Sequence, residues 1–238
     1  MSDVTRAEMA VVACAELFRG DGEILASPMG LIPSLGARLA RMTFEPDLLL
    51  SDGEAFLVAD GRVEGWQPFR KVLDTVVPHG KRHVVMGANQ IDRHGNQNIS
   101  AIGAHSRPAK QLLGMRGAPG NTVNHRTSYW VPRHSRRVFV DEVDTVCGVG
   151  FERARKAGGE RFHDLHRVVT NLGVLALRPD GIRLLSVHPG VSVDDVVENT
   201  TFEIDTSDVT VTRLPTPDEL HLLREVLDPE SLRDKEVR

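Results

Sequence analysis

Apolar positions along the chain change their spacing several times, and each change marks an element. Met9, Val12, Ala13 and Leu17 recur three or four residues apart, the period of one helix face. They follow Thr5-Arg6-Ala7-Glu8, which reads as a capping box: the Thr5 hydroxyl accepts from the Glu8 amide while the Glu8 carboxylate reaches back to the Thr5 amide. A first helix is predicted there. Past Gly20-Asp21-Gly22 a short strand, 23–26, runs into Ser27-Pro28-Met29-Gly30, and helical spacing returns over 31–42 through Leu35, Leu39 and Met42. Leu48-Leu49-Leu50, bounded by Pro46 and Gly53, is too short for a helix and reads as a strand buried on both faces. It stops at Ser51-Asp52-Gly53-Glu54.

A helix at 68–76 then precedes strands at 82–86 and 98–102. Further apolar runs predict strands at 145–147, 168–169, 174–177 and 182–187, with helices at 193–199 and 217–226. Strands alternating with helices point to an α/β fold, an open, mixed, mainly parallel sheet flanked by helices. No repeat, linker or low-complexity tract interrupts the pattern, so one domain over 1–238 is expected.

Composition narrows the function. With 238 residues, 40% of them apolar, the chain can bury roughly 70 to 75% of its unfolded surface without a metal or disulfide staple. Lys and Arg number 29 against 33 Asp and Glu, a net charge of -4, so neither a polybasic nucleic-acid binder nor an acidic tail is expected. Cys14 and Cys147 stand far apart with no C-x-x-C pair, which suits a reducing compartment, the cytoplasm. Asp3, Arg6, Glu8 and Glu16 break the apolar pattern of the first 18 residues, and no later run reaches span length, so neither a signal peptide nor a membrane partner is expected. Of ten His residues only His163 and His166 have ligand-like spacing, and no second pair completes a metal site. Arg133-His134-Ser135-Arg136-Arg137 lacks interleaved aromatics and reads as a solvated turn rather than a nucleic-acid contact.

Open parallel sheets gather ligand groups at the carboxyl ends of their strands. Chemistry is therefore expected at the turns 27–30, 51–54, 87–90 and 114–121. In the last, Gly114, Gly117 and Gly120 recur every third residue and Pro119 stiffens the loop, leaving backbone N–H groups suited to a carbonyl oxygen or a phosphate. The spacing is neither the dinucleotide fingerprint nor a P-loop, so nucleotide phosphoryl transfer is excluded. Asp52 and Glu54 lie two apart and share one face of an extended chain. Neighbouring carboxylates raise at least one pKa, as a general acid or base requires; a solvated loop holding two acids is the plain alternative.

The order of these turns resembles the β subunit of class I CoA-transferases, nearest the glutaconate branch. The resemblance is carried by Gly87-Ala88-Asn89-Gln90-Ile91-Asp92-Arg93-His94-Gly95-Asn96-Gln97-Asn98, by Gly114-Met115-Arg116-Gly117-Ala118-Pro119-Gly120-Asn121, and by Arg136-Arg137-Val138-Phe139. It continues through 168–175, then Pro189-Gly190 and Glu198-Asn199-Thr200, and so spans nearly the whole chain. It implies an α-subunit partner, in α2β2 if the family pattern holds, a site between the subunits, an acyl-CoA substrate and no further cofactor. It also suggests Ser27, Gly30, Gln90, Asn98, Arg116, Gly117, Gly120 and Asn121 as the residues binding substrate or CoA.

One departure is informative. The transferases keep a nucleophilic Glu two residues before a Gly, and Gly53 here puts Ser51 in that position. A similar departure marks a hydrolytic branch that opens the last steroid ring as a CoA thioester, where water adds to a ring ketone and the thioester enolate leaves. On that resemblance Ser51, Asp52 and Glu54 line the catalytic pocket, the base carboxylate comes from the α subunit, and Arg116 meets a carboxylate or phosphate. A transferase using Asp52 and a non-catalytic scaffold subunit are the alternatives.

Overall fold

The computed structural model describes residues 4–52, 56–59, 62–66, 81–115 and 117–237. The helix expected over 68–76 lies outside them, as do Gly53, Glu54 and Arg116. Two compact units divide the chain: Met1–Met86 with Arg213–Arg238, and Gly87–Thr212.

The first unit opens with α1 (Arg6–Ala15). Its capping box forms as the sequence predicts, with the Thr5 amide donating to Glu8 Oε2 at 2.9 Å and the Glu8 amide to Thr5 Oγ1 at 3.2 Å. The helix ends before Leu17, which is buried with Phe18 in a tight 3-10 turn instead. Strands β1 (Leu25–Pro28), β2 (Leu49–Ser51), β3 (Phe56–Ala59), β4 (Arg62–Trp66) and β5 (Arg82–Gly87) follow, with α2 (Leu31–Thr43) between β1 and β2. The strand after Gly22 thus sits two residues later than its predicted place. β1 is parallel to both β5 and β2, while β2, β3 and β4 run antiparallel. Every residue of β1 is buried. α2 packs on α1 at a glycine: a Cβ on Gly36 would stand 2.7 Å from Cys14 Cβ and 2.9 Å from the Ala15 amide, so only a residue without a side chain allows that approach. A helix at Pro217–His221, continued by a wider turn over Leu222–Leu227, closes the unit.

In the second unit, β6 (Gln90–Ile91) pairs with β7 (Gln97–Asn98), and β8 (Ala101–Ile102) with β9 (Lys110–Gln111). After α3 (Ala118–Asn124) and β10 (Arg126–Val131) come α4 (Phe151–Lys156), β11 (Asp164–Thr170), β12 (Gly173–Arg178), β13 (Gly181–Val187), α5 (Val193–Glu198) and β14 (Thr210–Val211). The order is β14-β13-β12-β11-β10, parallel at β10–β11 and β13–β14 and antiparallel between. The α/β class and the mixed open sheet with helices are as the sequence predicts.

Three expectations are corrected. The strand expected over 98–102 is broken, because Asn98 Oδ1 accepts the Ser100 amide at 2.9 Å and folds the chain into a turn. The strand expected at 145–147 is a loop, tied down where the Cys147 and Gly148 amides both donate to the Gln97 carbonyl. The glycine-rich run 117–121 does not end a strand: its last four residues open α3, which leads into β10. Among the described residues no helix is long and apolar enough to cross a membrane.

Candidate active site

The register of the first unit decides which side chains meet. Leu25 stands level with Leu49 on one side and Arg82 on the other; two residues further along, Ser27 is level with Val84. Side chains two apart along a strand share a face, so Ser27 and Ser51 sit side by side at the carboxyl ends of β1 and β2, with Arg82 one row below. The hydrogen bonds agree. Arg82 Nε donates to Ser27 Oγ at 2.8 Å, and Ser51 Oγ is 3.0 Å from Ser27 Oγ and 3.2 Å from the Ala26 carbonyl. Ser27 is 1% and Arg82 7% exposed, while Ser51 is half-buried. Burial lowers the Arg82 pKa to about 10, which leaves it a cation at neutral pH.

Asp52 follows at the exposed end of β2. Its Oδ1 accepts the Phe56 amide at 3.0 Å and its own amide donates to the Phe56 carbonyl at 3.0 Å, so Asp52 ties the end of β2 to the start of β3. Gly30, at a φ of +102°, starts α2. Beside Gly30, which the resemblance suggests for binding substrate or CoA, the Glu236 carboxylate accepts the Ile32 amide at 3.2 Å.

In the second unit Gln90 and Asn98 form the core of a polar network. Asn98 Nδ2 donates to Gln90 Oε1 and to the Ala101 carbonyl, both at 2.7 Å. Gln90 Nε2 donates to Asp144 Oδ2 at 2.9 Å, and Asp144 Oδ2 also accepts the Gly103 amide. Asn98 is fully buried and both its amide protons are spent inside the protein, so its work here is to shape the loop rather than to donate to a ligand. Gly117 caps α3, and Asn121 is buried within it. Space for at least 4 Å around a Cβ on Gly120 is empty, so the outward side of this residue stays open to an approaching group.

Arg82 is the residue that sequence reasoning missed. Its signal was an arginine heading an otherwise apolar strand, Arg82-His83-Val84-Val85-Met86. His83 beside it is also buried and polar, held by Asp21 at 2.6 Å. Among the described residues no cluster of three His, Cys, Asp or Glu side chains is placed to hold a metal ion.

No family model matches the chain, but individual proteins do. It superposes on glutaconate CoA-transferase of Acidaminococcus fermentans with a TM-score of 0.86 over 97% of each chain at 23% identity. It is 31% identical to a subunit of the 3-oxoadipate CoA-transferase of Pseudomonas knackmussii over 94% of both chains. A single buried β1 flanked by parallel neighbours, with small hydroxyl residues at its carboxyl end, is thus a subunit of the CoA-transferase fold. Similarity is far higher on one branch. The chain is 58% identical to the cholesterol ring-cleaving hydrolase IpdB subunit of Rhodococcus jostii, over all of this chain and 98% of that one. The crystal structure of Rhodococcus jostii IpdAB matches with a TM-score of 0.92 at 56% identity over the whole of both chains. The chain belongs to the family of these IpdB subunits.

Proposed function

We propose that this chain is the β-type subunit of a heteromeric hydrolase that opens the ring of a cyclic keto-acyl-CoA during steroid degradation. Its partner is a CoA-transferase-like α subunit, the assembly is α2β2, the compartment is the cytoplasm, and the CoA thioester is substrate with no further cofactor. The observation that carries this reading is Ser51. Where a transferase needs a carboxylate to hold the acyl group as an anhydride and then CoA as a thioester, this chain has a hydroxyl bonded to Ser27 and Ala26. A serine ester is lower in energy than a thioester, so returning the acyl group to CoA from it would be uphill; nucleophilic catalysis of transfer is lost.

Hydrolytic ring opening needs no such intermediate. Water adds to the ring ketone as a base takes its proton, and the ring carbon–carbon bond breaks. The bond pair becomes the thioester enolate, which the same proton quenches at carbon. A new carboxylate and an intact open-chain acyl-CoA result. The base comes from the α subunit; this chain supplies donors to the developing oxyanion. Asp52, whose carboxylate already accepts the Phe56 amide, does not favour the transferase alternative.

The test is to co-express the two subunits and incubate the complex with a cyclic keto-acyl-CoA in oxygen-18 water. Mass spectrometry should show the gain of one water, with one labelled oxygen in the new carboxylate and the CoA ester retained. Release of free CoA, or acyl transfer to an added carboxylate, would overturn the reading.

A further inference from the structure

The first unit holds a groove on the face of β2 turned away from Ser51. Successive side chains of a strand point to opposite faces, so Leu50 and its cross-strand partner Val58 line the other side of the sheet, under α2. The groove measures about 370 Å³ and runs between Arg38, Arg41 and Met42 of α2, Leu50 and Val58 of the sheet, and Val226 of the wider turn near the C-terminus. That volume is within the range of small-molecule sites, roughly 300–1,000 Å³. Leu50 is 5% exposed, but Met42 is 47% and Val226 50%, so the rim holds apolar surface in water that an occupant would cover. Arg38 and Arg41 stand three apart, neighbours on one helix face, and both are half-buried. Elsewhere in the unit Arg19, Arg213, Arg224 and Arg233 each meet a carboxylate. Among the described residues Arg38 and Arg41 meet none, and neither donates a hydrogen bond. No Asp or Glu lines the groove.

We infer that this groove is a binding site for a small apolar molecule with an anionic head, a carboxylate or a phosphate. Its body lies on Leu50, Val58, Met42 and Val226, and Arg38 and Arg41 take the head. Two like charges three apart on a helix repel, and an anion between them turns that cost into attraction. A guanidinium presents five N–H donors in a fixed fork that matches carboxylate and phosphate oxygens, and here all of those donors remain to be used. A neutral apolar ligand would cover the rim and leave the two cations as they are; a cationic one would add a third like charge. Apolar floor and paired cations together therefore select an amphiphile of negative charge.

The experiment uses the assembled α/β complex with carbon-13 methyl groups on the methionines of this chain. It follows the Met42 signal, assigned through Met42→Leu, as decanoate is added in one arm and decyl phosphate in the other. The signal should move to saturation in at least one arm, and the tighter arm names the head group. Decyltrimethylammonium, with the same tail and the opposite charge, and acetate, a head without the tail, should each bind at least about tenfold more weakly than the tighter anion. Arg38→Gln/Arg41→Gln should weaken that anion by about tenfold or more, since charge-assisted hydrogen bonds are the ones lost. Its melting temperature should stay within about 2 °C of wild type, because neither arginine is bonded inside the protein. Should the double variant not assemble, the wild-type comparison of decanoate with decyltrimethylammonium makes the same test of charge. A Met42 signal that neither anion moves overturns the inference, and is the result expected if another subunit is seated on the groove. Equal affinity for the cationic amphiphile overturns it too, as does binding that Arg38→Gln/Arg41→Gln leaves unchanged.

Discussion

Glu8 is a buried carboxylate that accepts from Arg224, Arg233 and the Thr5 amide, and replacing it tests how the two ends of the chain are joined. It is 1% exposed and accepts from Arg224 Nε at 2.6 Å, Arg224 Nη2 at 2.9 Å, Arg233 Nη2 at 3.1 Å and the Thr5 amide at 2.9 Å. Glu8→Gln keeps the shape and an oxygen for Thr5, so little of the cap is lost. The charge is what disappears. Arg233, itself 3% exposed, keeps Asp228 at 2.9 Å, and the Arg224 side chain, 27% exposed, can turn to water. Removing one partner of a buried pair costs about 3–5 kcal/mol, and these two escapes place Glu8→Gln at the lower end, about 3 kcal/mol. Unfolding entropy of about 2.1 cal/mol/K per residue over this chain gives about 0.5 kcal/mol/K, hence a fall in Tm of about 6 °C by calorimetry at matched protein concentration and neutral pH. Acidification supplies a second reading. Burial alone pushes the Glu8 carboxyl up, but the bonds from Arg224, Thr5 and Arg233 outweigh it and hold it below the ordinary 4.5. A carboxyl depressed on folding contributes stability that is complete above its unfolded pKa and is lost as pH falls through the folded value. Below about pH 4.5 the wild-type Tm should therefore fall more steeply than that of Glu8→Gln. A Tm within about 1 °C of wild type, with parallel acid slopes, would refute the reasoning.

Other outcomes follow from single contacts. The wild-type complex incubated with acyl-CoA and then borohydride should show this chain's mass unchanged, since Ser51 cannot form the transferase thioester; a side-chain carboxyl of this chain reduced to an alcohol, with CoA released, contradicts the Ser51 argument. Gly36→Ala should cost about 3 kcal/mol or more, or leave the chain insoluble, because its Cβ would press on Cys14 and the Ala15 amide; an unchanged melting curve would mean that α1 yields. His134, stacked on Phe139 with its ring nitrogens facing Thr170 and Thr200, has its pKa lowered by burial to about 3. Its ring resonances should stay those of a neutral imidazole from pH 7.5 to about 5, and stability should begin to fall below the unfolded value of about 6.5, where only the unfolded chain takes up the proton. A titration midpoint near 6 in the folded protein would show the ring to be solvated.

Elements with one clean period were legible in the sequence and elements buried on every side were not. α1 and α2 announce themselves through a capping box and through Leu35 and Leu39. β10 did not, because Thr127 and Ser128 are as buried as Tyr129 and Trp130, so no alternation of polar and apolar survives. β4 carries Arg62 and Glu64 and buries none of its residues, so it has no core-facing period to read, whereas the apolar run of β3, Phe56–Ala59, carried a strand signal that went unread. A run such as 98–102 looks like a strand by residue type, but the Asn98 side chain competes for the backbone and wins, which is the known habit of Asn in turns.

The site divides in the same way. Its position was legible, because the carboxyl ends of parallel strands collect ligands whatever their sequence, and the place of Ser51 before Gly53 could be read from the chain alone. The partition of work among polar residues was not. Gln90 and Asn98 fall in the most polar stretch of the chain, yet they spend their amides on Asp144, Ala101 and each other. Arg82 falls in an apolar strand and reaches the site. A polar side chain serves a ligand only with the donors or lone pairs its own fold leaves over, and that remainder depends on residues far off in sequence: Asp144 for Gln90, Ser27 for Arg82. Composition therefore locates such a site, and a count of hydrogen bonds decides which of its residues are left to act.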